Sequence, residues 1–161
     1  MKDKHILILG VGNILMCDEG AGVHTVRKLE KTFRFSDNVT LLDGGTLGMK
    51  LLHSICCADH LIVADTVIRG LAPGTVSRLN ANDISLRTIP KNSMHQLSFT
   101  ETLALAKMME ILPETVIISI EPADIKTMST YCTPQISTGI NIMCSYILEE
   151  ICTFGGEYLK I

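Results

Sequence analysis

The chain has 161 residues, 47% of them hydrophobic and 19% charged, which suits one packed domain over residues 1–161 and argues against disorder. Its formal net charge of -3, with no run of basic residues longer than two, argues against a nucleic-acid partner, because phosphate binding needs concentrated Lys and Arg. No segment approaches the roughly 20 apolar residues of a membrane span, and the expectation is a cytoplasmic monomer with no membrane partner.

The Lys-flanked stretch Met1–Met16 mimics a signal peptide, but Gly10, Gly12 and Asn13 interrupt it and no small-residue cleavage site follows. Aromatic residues make up 4% and Trp is absent, so the core must be aliphatic, with eight Met as gap fillers. The six cysteines include no Cys-x-x-Cys pair, and Cys56 and Cys57 are adjacent. They read as reduced thiols of a cytosolic protein.

In chain order, His5 to Val11 (HILILGV) is a continuous apolar run ending in glycine, as for a strand buried on both faces of a parallel sheet. Asp18 offers an N-cap, and Glu19 to Lys31 reads as a helix with Val23, Val26 and Leu29 inward. Asn38 to Leu42 is a second strand, closed by Asp43-Gly44-Gly45, and Leu47 to Cys56 a short helix. Leu61 to Ala64 is a third buried strand ending at Asp65. Ala72-Pro73-Gly74 is a turn, and Thr75 to Leu79 alternates like an antiparallel edge strand. Ser93 caps a helix from about Met94 to Glu110, and Thr115 to Ile120 is the last buried strand. Thr133-Pro134 opens a helix to about Cys152, with Pro134 in the first turn, and the tail from Gly155 looks loosely held.

Buried strands alternating with helices imply an α/β fold: a three-layer αβα sandwich with a doubly wound, mostly parallel sheet of order 2-1-3-4 plus an edge strand. Ligands of such sheets bind beyond the carboxyl ends of the strands, where the winding reverses, here between strands 1 and 3. The loop after strand 1 carries Asp18 and Glu19, strand 3 ends in Asp65, and His95 stands in the first turn of the helix opened by Ser93. Singly, each has an ordinary reading as helix cap, turn cap or surface histidine. Together they bring carboxylates and an imidazole to one crevice. Carboxylates so gathered repel one another, and a divalent cation compensates. A mixed oxygen and nitrogen set suits Zn, Ni, Mn or Fe.

His5, His24, His53 and His60 lack this convergence and read as structural. Cys17 lies near the crevice, but no His neighbours it in sequence to activate a thiolate. Gly10-Val11-Gly12 lacks the third glycine of a dinucleotide fingerprint, its place being taken by Leu15. A phosphoacceptor receiver would need a Lys after the last strand, where this chain has Glu121-Pro122. Neither a Gly-x-Ser-x-Gly elbow nor a His-Glu-x-x-His occurs.

Several of these segments resemble, in order, the hydrogenase-maturation endopeptidases. Gly10-Val11-Gly12-Asn13-Ile14-Leu15 with Asp18-Glu19-Gly20 and Gly22-Val23 is similar to that family's first motif, and Asp43-Gly44-Gly45-Thr46 to its second. Ile62-Val63-Ala64-Asp65 followed by Pro73-Gly74-Thr75 is similar to the third, His95-Gln96-Leu97 to the fourth, and Ile120-Glu121-Pro122 to a weaker pattern. Cys17 precedes Asp18 at a place where that family is variable, and the segment Ile84 to Met94 has no strong match to it.

The resemblance implies a phosphorylase/hydrolase-like sandwich and an endopeptidase of aspartic or metal-dependent type. Its partner would be a nickel–iron hydrogenase large-subunit precursor, which loses a C-terminal extension after nickel insertion. It implies Glu19, Asp65 and His95 as metal-binding and catalytic residues, with Asp43 also linked to activity. The nickel ion would be supplied by the precursor. Water is then the nucleophile, activated either through the metal or by Asp43 or another carboxylate. A nickel-binding maturation chaperone without peptidase activity is the nearest alternative, ahead of a receiver-like or nucleotide-binding module.

Overall fold

The computed structural model describes residues 2–83 and 94–161, with side chains throughout except at 83 and 94–98. Strand β1 (Ile6–Val11) is buried at every position. It lies between β3 (Val39–Gly45) and β4 (His60–Thr66), parallel to both, so its backbone groups are paired on two edges. Strand β6 (Glu114–Ile120) adds parallel to β4, and β5 (Val76–Asn80) closes the sheet antiparallel to β6. The order β3-β1-β4-β6-β5 is the expected 2-1-3-4 arrangement with an antiparallel edge strand.

Helices cover both faces. Ile6 and Ile8 of β1, Ile62 and Ala64 of β4, and Val116, Ile118 and Ile120 of β6 share a core with α1 (Ala21–Thr32) and α4 (Pro134–Thr153). The alternate residues Leu7, Leu9, Leu61, Val63 and Ile117 face α2 (Leu52–Cys56) and α3 (Met94–Met108), meeting Ile55 and Phe99. The period-2 geometry of a strand assigns successive aliphatics to opposite cores, which is why the strands read as unbroken apolar runs. The result is the αβα sandwich. Among the described residues no helix is long and apolar enough to cross a membrane. All six cysteines are free thiols.

Four local expectations change. The tail is tied down: β7 (Tyr158–Lys160) pairs antiparallel with β2 (Phe33–Phe35), and Tyr158 meets Phe33 edge-on with ring centroids 5.3 Å apart. Such cross-strand aromatic pairs stabilise even a three-residue ladder. Strand β3 runs on through Asp43 to Gly45 instead of closing at Leu42. α3 ends at Met108 rather than Glu110, with Glu110 at φ 58 terminating the turn. Asp18 does not cap α1, whose N-cap position is Gly20 without a side-chain hydrogen bond. Ser93, the expected cap of α3, lies outside the described residues.

Candidate functional site

The chain leaving β1 must turn sharply to reach α1, and glycine makes the turn possible. Gly12 has φ +139, and a Cβ there would stand 1.9 Å from the Glu19 carbonyl oxygen. At Gly22 a Cβ would stand 2.1 Å from the Ala64 carbonyl oxygen, so only glycine lets α1 seat against the end of β4. The Gly10-Val11-Gly12 run, too short for a dinucleotide motif, thus serves close backbone approach. Between the two glycines, Cys17–Gly20 forms a 3₁₀ turn with all four residues buried. Cys17 enters it at φ 53, a left-handed conformation costing a β-carbon-bearing residue about 1 kcal/mol. That turn drives two consecutive acids, Asp18 and Glu19, inward.

Asp18 is fully buried and fully used. Its Oδ2 accepts the N–H groups of Ala123 and Asp124, each at 2.9 Å, and its Oδ1 accepts the Thr133 N–H at 2.7 Å. The Thr133 hydroxyl donates to it as well, at 2.9 Å to Oδ2. Backbone bonds reinforce the clamp, with Asp18 N–H donating to Asp124 O at 3.0 Å and Cys17 N–H to Ser129 O at 2.9 Å. The loop after β1 and the loop after β6 are therefore one unit. Sequence reasoning missed this role because the partners lie more than a hundred residues away, with |i−j| of 105 to 115.

Glu19 and Asp65 are each only 7% exposed and lie on adjoining backbone. Thr66 joins them: its N–H donates to Asp65 Oδ1 at 2.7 Å, and its hydroxyl donates to the Asp18 carbonyl, one bond before Glu19, at 2.8 Å. Burial pushes the Asp65 carboxyl well above the usual carboxylate range; the Thr66 N–H opposes this and the neighbouring charge of Glu19 adds to it. Beside Asp65 opens an apolar recess lined by Val63, Val67, Phe99, Leu103 and Ile117. Asp65 lines this recess and feels the charge of Glu19 from the adjoining turn, a pairing of acids whose repulsion a cation would relieve.

His95 lies in the first turn of α3, but its side chain is outside those described. Among the described residues no three His, Cys, Asp or Glu groups gather closely enough to hold a metal.

Asp43 stands on β3, opposite Gly10 and on the far side of β1 from β4. Its Oδ2 accepts the Arg27 Nε and Nη2 groups at 3.0 and 2.8 Å. That pairing fixes α1 to β3 at the same edge, an interaction that residue spacing did not disclose. Glu121, whose motif was noted, is 6% exposed and accepts the Arg69 and Gly70 N–H groups at 2.8 and 3.2 Å, holding the loop after β4.

The thiols nearby are poor nucleophiles. Burial, then Asp18 and Asp124, raise the Cys17 pKa. Burial, then Asp18 and Cys17, push Cys132 up to about 12. Both therefore stay protonated at neutral pH.

Comparison with known proteins points one way. Residues 23–150 match the family model HycI, hydrogenase maturation protease; Asp65, Asp43 and His95 fall inside that span and Glu19 just ahead of it. The chain is 39% identical over 156 residues to the hydrogenase expression/formation protein HupD of Thiocapsa roseopersicina, covering 96% of this chain and 71% of that protein. It is 41% identical over 110 residues to the hydrogenase 2 maturation protease of Escherichia coli K12, covering 68% of this chain and 67% of the relative. Among solved structures, the hydrogenase maturating endopeptidase HybD from E. coli superposes with a TM-score of 0.90 at 33% identity, over 97% of both chains.

Proposed function

Because the chain belongs to the hydrogenase maturation protease family, we propose that the Glu19–Asp65 crevice is where it recognises and cuts its substrate. The activity is that of an endopeptidase which processes a hydrogenase large-subunit precursor by removing its C-terminal extension. The finer reading is that Glu19, Asp65 and His95 contact nickel already carried by the precursor. Nickel is thus part of the substrate and a signal that the precursor is complete.

The observation that carries this reading is Asp65. Among the described residues the Asp65 carboxyl accepts one hydrogen bond, and with a second acid beside it its ionised form is costly unless a cation, or a proton, offsets the charge. A nickel-loaded precursor supplies that cation and gains affinity by it, whereas a nickel-free precursor gains nothing. Contact with the metal also holds the scissile peptide in register against the crevice. Water is the nucleophile in this proposal, since Cys17 and Cys132 are held as thiols by burial and neighbouring acids. Asp43, the other residue linked to activity, is paired with Arg27, which ties α1 to β3 at the same edge.

The test is a cleavage assay with purified protein and one precursor in nickel-loaded and nickel-free forms. Removal of the extension from the loaded form alone is expected. Equal cutting of both forms would remove nickel from the recognition step. Tight binding of the loaded form with no cutting would favour a chaperone.

A further inference from the structure

Exposed large apolar residues occur at several places, and three of them lie on two loops clamped together at the carboxyl edge of the sheet. Tyr131 and Met128 are 81% and 80% exposed, and Leu15 is 52% exposed. Leu15 belongs to the loop after β1, and Met128 and Tyr131 to the loop after β6. The two loops lie side by side: Ser129 N–H donates to Leu15 O at 2.9 Å, and Met16 and Ser129 form a parallel bridge.

This segment is pinned rather than slack. Asp124 Oδ1 accepts the Lys126 and Thr127 N–H groups at 2.9 and 3.0 Å, Ser129 Oγ accepts the Tyr131 N–H at 3.1 Å, and Asp18 anchors both ends of the unit. Ordering a backbone while leaving a tyrosine and a methionine in water gains nothing for the free chain. It does cut the entropy lost when a partner covers them. Pre-ordered aromatic anchors are the usual hot spots of protein interfaces.

The patch adjoins the crevice through one loop: the loop after β1 carries both Leu15 and Glu19, and the loop that carries Met128 and Tyr131 is clamped to it through Asp18. Glu19 and Asp65 are each only 7% exposed, so a large folded protein can bring a metal or peptide to them only by resting on the surrounding rim. Met108, Met109 and Ile111, at and just beyond the C-terminal end of α3, lead into β6 at the amino edge of the sheet, the edge opposite Asp65.

We infer that Leu15, Met128 and Tyr131 form the docking patch for the body of the hydrogenase large-subunit precursor, seating it so that its cleavage segment enters the crevice. This inference rests on the proposed function above. It assigns binding to the patch and chemistry to the crevice, and the two separate experimentally.

The probe is a nickel-loaded large-subunit precursor that the wild-type chain processes. The double variant Met128→Ser/Tyr131→Ser should raise KM for processing at least ten-fold, with kcat within about two-fold and an unchanged melting temperature. Tyr131→Ser alone, a single exposed change, should raise KM by a smaller amount. The Met108→Ser/Ile111→Ser control should process like wild type. Asp65→Ala should fail to cut yet still bind the precursor and compete with the wild-type enzyme.

Processing by the double variant within two-fold of wild type overturns the docking assignment while leaving the crevice reading intact. The same holds if the patch proves to pair two copies of this chain, seen as a wild-type dimer that the double variant dissolves without loss of processing. Normal processing by Asp65→Ala would instead overturn the crevice reading.

Discussion

Asp18 and Asp65 are both buried at the carboxyl edge of one sheet, linked through Thr66, yet their surroundings are opposite. Asp18 is met by three backbone N–H groups and a hydroxyl, so its charge is spread over donors from a distant loop. Among the described residues Asp65 accepts one hydrogen bond, from Thr66, and it faces a second acid and an apolar recess. A carboxylate saturated with donors holds a structure together. One kept short of donors costs stability when ionised, and that cost is offset by a proton at low pH or by a cationic ligand. The difference separates architecture from chemistry within a single edge, and mutations should divide along it.

The largest effect is expected on activity. Replacing Glu19 or Asp65 with Ala should lower precursor processing by about a thousand-fold or more, and Asp65→Ala should leave the melting temperature equal or higher, because a buried acid set against an apolar recess is removed. A gel-shift assay of the extension together with a thermal melt checks both halves. Near-normal processing by either variant would erase the contrast.

The next effect is expected on stability. Asp18→Ala leaves the N–H groups of Ala123, Asp124 and Thr133 without their acceptor and should cost about 3–5 kcal/mol in urea unfolding. A cost below about 1 kcal/mol would mean that the clamp is ornamental. Thr66 tests the link between the two. Thr66→Val keeps shape but loses the hydroxyl bond to the Asp18 carbonyl, and should reduce kcat about ten-fold by loosening the spacing of Glu19 from Asp65, with Thr66→Ser restoring it.

Acidity gives the smallest signals. The folded-state pKa of Asp65 lies above its unfolded value near 3.9. The stability this provides is full below that unfolded value and is lost as pH rises towards the folded one. Asp65→Asn should therefore match wild type at low pH and exceed it by about 1–2 kcal/mol at pH 7 in metal-free buffer, as followed by unfolding across pH. Asp18 supports the high pKa of Cys132 through its charge, after burial. Asp18→Asn should accordingly speed Cys132 alkylation at pH 8 a few-fold, read by mass spectrometry.

Much of this was legible in the sequence because it depends on local pattern. Unbroken aliphatic runs such as Ile6–Leu9 and Leu61–Ala64 can only be strands covered on both faces, and from them followed the sheet order and the placing of Glu19 and Asp65 at one edge. What could not be read depends on contacts remote in the chain. Asp18 looked like a helix cap because its donors are at 123, 124 and 133. The β2–β7 pair was missed because three residues carry no period, and only the meeting of Phe33 with Tyr158 makes them strands. The Arg27–Asp43 pairing needs the seating of α1 against β3, which no spacing encodes. The apolar rim was invisible because Leu15 and Met128 look like core residues until their exposure is known.

The central claim is that Glu19 and Asp65 touch the nickel of the substrate. X-ray absorption at the nickel edge tests it most directly, comparing the loaded precursor alone with the precursor bound to the wild-type chain and to the Glu19→Ala/Asp65→Ala double variant. The account predicts that nickel gains oxygen or nitrogen neighbours in the wild-type complex and not with the double variant. A nickel spectrum unchanged by the wild-type chain in a complex that is nonetheless formed and cleaved would contradict it.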